Sequence, residues 1–279
     1  MAIERSHAQA TAASRPSGAR VDGYSISLRG IRKQFVTHSG QTIPAIDRFD
    51  LEIDAGSFVV LVGPSGCGKS TLLNCVAGLD RPDAGEILID GRPIGAGVTP
   101  GIGYMFQQDT LLPWYNVERN VELGLRYAGN IGDDARALVD HLLEIAELSG
   151  VRRAFPSELS GGMRRRVALC AALAIRPRVL LMDEPFSALD TFTKASIQRY
   201  LLRLWDELHP TILFVTHDLE EAVTVADKVV VMSRRPGRIK EIVDVALPRP
   251  RDVFAVKETP GFIAGYQRAW HALGDEFDR

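Results

Sequence analysis

Phe58-Val59-Val60-Leu61-Val62-Gly63-Pro64-Ser65-Gly66-Cys67-Gly68-Lys69-Ser70 decides the fold. Its first five residues, apolar and largely β-branched, read as a strand covered on both faces, and they run straight into a glycine-rich loop. Thr71-Leu72-Leu73-Asn74-Cys75-Val76-Ala77-Gly78 follows with the spacing of a helix face. Strand, loop and helix in that order are the context that the pattern G-x-x-x-x-G-K-[ST] requires. There the glycines let the backbone curl so that several NH groups point at phosphate oxygens, and the helix offers its positive N-terminal end. Lys69 is placed for the β- and γ-phosphates of a nucleotide and the Ser70 hydroxyl for Mg²⁺. A chance glycine-rich turn is the alternative, and the flanking strand and helix argue against it.

A second fully apolar strand, Val179-Leu180-Leu181-Met182, ends in Asp183-Glu184-Pro185. The two carboxylates suit different tasks: Asp183 can hold Mg²⁺ through water, and Glu184 can orient and polarise an attacking water. Standing alone, the pair would also read as an acidic strand-to-loop turn. Upstream, Ser25-Ile26-Ser27-Leu28 and Phe49-Asp50-Leu51-Glu52-Ile53 alternate apolar and polar residues, as antiparallel strands of a half-buried sheet do. Residues 1–23, rich in Ala, Ser, Arg and Gly without apolar periodicity, read as a mobile extension.

Composition sets the limits. The 279 residues, 46% hydrophobic and 24% charged, suffice for one substantial core with a smaller subdomain attached. A formal net charge of -2 carries no electrostatic footprint for nucleic acid. Cys67, Cys75 and Cys170 lack the paired spacing of a zinc site or a disulfide framework, so a reducing compartment fits best. No stretch approaches the roughly 18 to 20 apolar residues needed to span a bilayer, and the N-terminal segment lacks the apolar core of a secretion signal. The chain is expected to stay in the cytoplasm; in a transport role, something else must cross the membrane.

Between the two sites lies Leu159-Ser160-Gly161-Gly162-Met163, opening a helix that continues through Val167, Ala168, Cys170, Ala171 and Ala174. Here the chain resembles the ATP-binding subunits of ABC transporters, whose signature motif this is. Met163 stands where that family usually has glutamine, and Arg165 where a second glutamine often stands; the Ser-Gly-Gly core is intact. Arg164, Arg165 and Arg166 read either as positive charge near the site or as a basic solvated helix face.

The resemblance runs from about residue 28 to residue 251, with motifs in the family's order. It implies an α/β fold: a P-loop ABC cassette with a RecA-like core, an antiparallel β subdomain and a helical subdomain inserted at about 109–165. A tail follows from residue 252. ATP with Mg²⁺ is the implied ligand, cradled by Gly63, Pro64, Ser65, Gly66, Cys67, Gly68, Lys69, Ser70 and Thr71. Phe35 matches the aromatic that stacks on adenine. Gln107 matches the loop glutamine that reaches the metal and the water, with Gln108 its adjacent rival. Ser187-Ala188-Leu189-Asp190 matches the loop that crosses the dimer interface, and His217 the histidine at the γ-phosphate. Alone, Phe35 would read as core and His217 as a capped or core histidine; their joint order carries the assignment. Glu184, His217, Lys69 and Gln107 are the implied catalytic set, and Ser70, Gln107 and Asp183 the metal set.

In that family two cassettes pair, so that Ser160, Gly161 and Gly162 of one chain cap the phosphate held by the other. A full motif set makes a homodimer the simpler expectation. Leu112-Pro113-Trp114, after Asp109-Thr110-Leu111, resembles the branch importing nitrate, sulfonates, taurine and related solutes. Arg235-Pro236-Gly237-Arg238-Ile239 and Leu247-Pro248-Arg249-Pro250-Arg251 are similar to the same branch. Trp114 reads otherwise as core packing, and the Arg-Pro pairs as a turn or exposed arm. The implied partners are a membrane permease and, indirectly, an external solute-binding protein, with the chain peripheral at the cytoplasmic face. A non-transport ABC ATPase, an exporter cassette and a small-molecule kinase are the competing classes. The first would bring paired cassettes or coiled coils, the second often a fused membrane domain, and the third would not need residues 159–163.

Overall fold

The computed structural model describes residues 22–274 apart from positions 38, 96, 98, 109, 131 and 188. The N-terminal extension up to residue 21, Asp109 and Ala188 therefore lie outside the described residues. The strands are β1 (Ile26–Val36), β2 (Thr42–Ile53), β3 (Phe58–Val62), β4 (Ala84–Ile89), β5 (Arg92–Pro93), β6 (Ile102–Met105), β7 (Val179–Asp183), β8 (Thr211–Thr216), β9 (Lys228–Met232) and β10 (Ile239–Asp244). The helices are α1 (Lys69–Ala77), α2 (Val117–Tyr127), α3 (Asp133–Ile145), α4 (Gly161–Ala174), α5 (Thr191–Leu208), α6 (Leu219–Val225) and α7 (Pro260–Gly274).

Six strands form the central sheet in the order β10-β9-β3-β8-β7-β6, parallel from β9 to β6 with β10 antiparallel at the edge. All five residues of β3 are buried, and they alternate between two cores. Phe58, Val60 and Val62 join the core built with the helical segment and α5, α6 and α7. Val59 and Leu61 join the core shared with α1 and the second sheet. That second sheet, β2-β1-β4-β5, is antiparallel, with Ile26, Leu28, Phe49, Leu51 and Ile53 inward, as their alternation requires. Helices α2, α3 and α4 are inserted between β6 and β7. The architecture is thus the P-loop cassette with antiparallel and helical subdomains.

Two local expectations change at the C-terminal end. Arg251, read as part of a turn or exposed arm, is buried and donates to the carbonyls of Thr224 and Ala226. Burial lowers its guanidinium to about 10. Arg249 donates through Nε and Nη2 to Asp227 and lies 3.9 Å over the Trp205 ring. These arginines close the end of β9 because Asp227, which also accepts from Phe58 N, needs cationic partners where it is half-buried. The tail after residue 252 contains α7, which inserts Phe262, Ala269 and Leu273 into the core with a helical spacing.

Thr211 joins the N-terminal strand region to the core. Its fully buried hydroxyl accepts from Gly56 N at 2.8 Å and donates to Tyr24 O at 2.6 Å. Thr211→Val keeps the shape and strands both backbone groups. Stability is expected to fall by about 2–4 kcal/mol, read as a lower urea midpoint at unchanged m-value.

Candidate functional site

The phosphate loop leaves β3 at Gly63 and closes into α1 through two left-handed glycines, Gly66 at φ 76° and Gly68 at φ 106°. Gly68 is the N-cap of α1 and has no side chain to offer, so side chains leave the first NH groups of the helix uncapped. Lys69 is 5% exposed, and its ammonium donates to Gly63 O at 2.8 Å and Pro64 O at 3.0 Å. An ammonium among inward-facing NH groups is an anion cradle. Pro64 is half-buried, Ser65 and Ser70 are exposed and Cys67 is buried; Thr71 stands half-buried in the first turn of α1. Burial pushes the Cys67 thiol up in spite of Lys69 beside it, so it stays a neutral wall of the loop.

Beside this cradle, β7 delivers the acidic pair. Ser70 Oγ donates to Asp183 Oδ1 at 3.0 Å. Burial raises the Asp183 carboxyl above its ordinary value, opposed by that hydrogen bond. One hydroxyl and one carboxylate, both hard oxygen donors, fit Mg²⁺, which keeps several waters and takes its remaining ligands from phosphates rather than from an all-protein cage.

Glu184 adopts φ 44°, a left-handed conformation uncommon outside glycine, and its NH donates to Val215 O on the neighbouring strand. That twist turns its carboxylate toward two further predicted residues. Oε2 lies 3.2 Å from His217 Nδ1 and accepts from Gln107 Nε2 at 3.3 Å. A carboxylate held by an imidazole and an amide, next to a metal-suited pair, can polarise water toward a phosphate. Gln107 follows Phe106, whose ring stacks on Tyr104 at 4.1 Å.

Phe35 is not core: it is exposed on β1, with the Lys33 ammonium 5.5 Å from its ring centre. Ser160 N-caps α4 by accepting from Met163 N, and Asp190 N-caps α5 by accepting from Phe192 N and Thr193 N. A hydrogen bond from the Thr193 side chain, together with these backbone bonds, lowers the Asp190 carboxyl. Gly161 and Gly162 lie against Leu189 and Thr193, the latter so close that a Cβ on Gly162 would sit 2.4 Å from Thr193 Cγ2. No hydrogen bond or ion pair joins Ser160, Gly161, Gly162 or Asp190 to the phosphate loop among the described residues. The chain thus brings together one group at Lys69, Ser70, Asp183, Glu184, Gln107 and His217, while Ser160 and Asp190 each cap a helix of their own.

A family model described as ABC transporter matches residues 46–187. The aliphatic sulfonates import ATP-binding protein of Bacillus cereus is 41% identical over 226 residues, covering 81% of this chain and 88% of that one. The nitrate import ATP-binding protein of Synechococcus elongatus is 42% identical over 237 residues, 83% and 85% of the two chains. The chain belongs to the ABC transporter family. Among solved structures, an ATP-binding cassette dimer in a post-hydrolysis state with ADP and Pi superposes with a TM-score of 0.69 at 31% identity, over 80% of this chain and all of the other. The chain is an ABC ATPase.

Two residues near the site exceed what sequence reasoning assigned. The arginines of α4 do not form a merely solvated face. Arg165 donates to Phe106 O at 3.1 Å and to Gln107 O, Arg166 donates to Ala146 O, and Arg164 donates to Leu159 O. Arg165 thereby ties the signature helix to the glutamine loop. Gly237, quoted above only for its branch resemblance, packs on the phosphate loop: its NH donates to Ala45 O, and a Cβ there would meet Cys67 O at 2.2 Å. Its place between Pro236 and Arg238 was the available signal, but the partner lies 170 residues away. Gly237→Ala must displace the turn or the loop, an overpacking of about 1–3 kcal/mol. Nucleotide affinity is expected to fall about tenfold in a fluorescent-nucleotide titration, with the far-UV circular dichroism of the nucleotide-free chain unchanged.

Proposed function

We propose that this chain powers a small-solute importer of the nitrate, sulfonate or taurine type, working as one of two identical cassettes beneath a separate membrane permease. The cassette spans about residues 24–251, with the helical insertion at about 109–165. Glu184 polarises the attacking water, Gln107 and His217 orient it and the γ-phosphate, and Lys69 stabilises the transferred charge. Residues 63–71 cradle the phosphates and Phe35 stacks on adenine. Ser70, Asp183 and Gln107 hold Mg²⁺, which when bound neutralises charge on the phosphates. Ser160, Gly161, Gly162 and Asp190 serve the partner's nucleotide.

The observation that carries this reading is the contact of Glu184 with both His217 and Gln107 at the edge of the phosphate cradle. The dimeric form of the solved cassette that superposes on this chain supports a site completed by a second chain. Relatives named for nitrate and sulfonate import support the solute class. No helix among the described residues is long and apolar enough to cross a membrane; in this reading a separate permease carries the solute across, and an external binding protein delivers it to that permease. Trp114, 65% exposed, stands on a turn pinned by the buried Asn120, whose amide bonds Leu112 N, Leu112 O, Tyr115 O and Asn116 O. An aromatic so held out from a rigid turn suits a protein partner better than core packing. The permease would keep the chain at the cytoplasmic face of the membrane.

Glu184→Gln is expected to lower ATP turnover about 100-fold or more without loss of ATP binding, and to accumulate a nucleotide-bound pair in size-exclusion chromatography. Affinity capture of that variant from gently solubilised membranes should retain a multi-spanning permease. Capture of ribosomes or repair proteins without a membrane partner would overturn the transport claim. Full-rate hydrolysis by a strictly monomeric chain would overturn the shared site.

A further inference from the structure

His217 is 58% exposed at the side chain, so its own packing does not fix it against Glu184. The residues on either side of it are fixed instead. Thr216 Oγ1 donates to Glu221 Oε2 at 2.6 Å and accepts from Asp218 N at 3.0 Å. Asp218 Oδ1 caps α6 by accepting from Glu220 N and Glu221 N. Both acids face one ammonium: Lys194 Nζ lies 2.9 Å from Asp218 Oδ2 and 2.7 Å from Glu221 Oε1. The Glu221 side chain is only 5% exposed, and burial pushes its carboxyl up while Lys194 opposes the shift.

Lys194 arrives from elsewhere. It sits in the first turn of α5, where its NH donates to Asp190 O, and Asp190 caps that helix. One cation therefore joins the start of α5, at the loop read as crossing the cassette interface, to the segment that carries the histidine.

We propose that Lys194 is a positioning residue for ATP hydrolysis, holding the His217 segment against Glu184 through Asp218 and Glu221 and tying it to the Asp190 loop. The inference rests on the reading above in which His217 and Glu184 act in hydrolysis. Lys194 acts through Asp218 and Glu221; removing it lets the imidazole drift from a geometry in which errors on the order of 1 Å cost up to about 100-fold in rate.

The test uses the full chain, assayed for ATP turnover at concentrations that permit pairing, with nucleotide affinity measured separately. Lys194→Met is expected to lower kcat by about 10-fold to 100-fold with the dissociation constant for ATP within about 2-fold, and Lys194→Arg to restore most of the rate. Because Lys194→Met strands a buried carboxylate, the double variant Lys194→Met with Glu221→Gln keeps the test alive if the single variant unfolds; it should melt near the wild-type temperature and remain slow. A double variant that hydrolyses at the wild-type rate overturns the proposal, since Lys194 then serves only to neutralise Glu221. His217→Ala separates the two failures. If it is inactive while the double variant is active, only the positioning role falls; if it is as active as wild type, the reading of His217 falls and this inference with it.

Discussion

The parallel register of β3, β8 and β7 is the constraint on which the site depends. Val62 pairs with Thr216, and Asp183 with Val215, so three buried strands end side by side. Their next residues are Gly63, His217 and Glu184. A slip of one residue in either pairing would exchange the faces of a strand buried on both sides and carry its terminal residue away from the others. The chemistry is positioned by hydrophobic burial: Phe58, Leu180, Met182, Ile212 and Phe214 pack one face, and Val59, Leu61, Val179, Leu181, Leu213 and Val215 the other. Catalytic geometry and core packing are here one structural fact, in the manner of sheets whose ligands sit at the carboxyl ends of the strands.

At that edge the backbone departs from relaxed conformations where chemistry needs it. Gly66 and Gly68 take positive φ without a Cβ to oppose it, whereas Glu184 takes it with a full side chain. A Glu184 backbone in the extended region would continue the strand and send its carboxylate to one face of the sheet. The left-handed turn, held by the bond from its NH to Val215 O, brings it to His217 and Gln107 instead. Lys69 shows the complementary economy: its ammonium is buried, and carbonyls of its own loop satisfy it, which braces the curl of the loop.

What the sequence revealed was local in the chain. The unbroken apolar run at 58–62, the glycine spacing at 63–70, the Asp183-Glu184 pair and the Ser160 cap each express themselves within a few residues, and each lies on the element anticipated for it. What stayed hidden depends on partners far off. Arg251 reads as exposed because its identity says charge; only the carbonyls at the end of α6 make it a buried residue. Arg165 differs from its neighbours in the triplet only through a loop nearly 60 residues upstream. The helix α7 stays hidden for another reason: its apolar residues follow a helical spacing, but nothing before it in the sequence announces a surface to bury against.

The two groups in this chain are separate in polar contacts yet mechanically joined. Ser160 and Asp190 each cap a helix, so neither is a loose loop. Helix α4 carries rigidity from Ser160 to Arg165, which grips the carbonyls of Phe106 and Gln107. Helix α5 carries it from Asp190 to Lys194, which grips the acids flanking His217. Each half offered to a partner is thus connected, through roughly one turn of helix and one cation, to a residue beside Glu184. A packed helix transmits displacement rather than absorbing it. In the proposed pair, a partner's nucleotide at Ser160 or Asp190 would therefore bear on Glu184 of the same chain, and the two chains would be coupled in both directions.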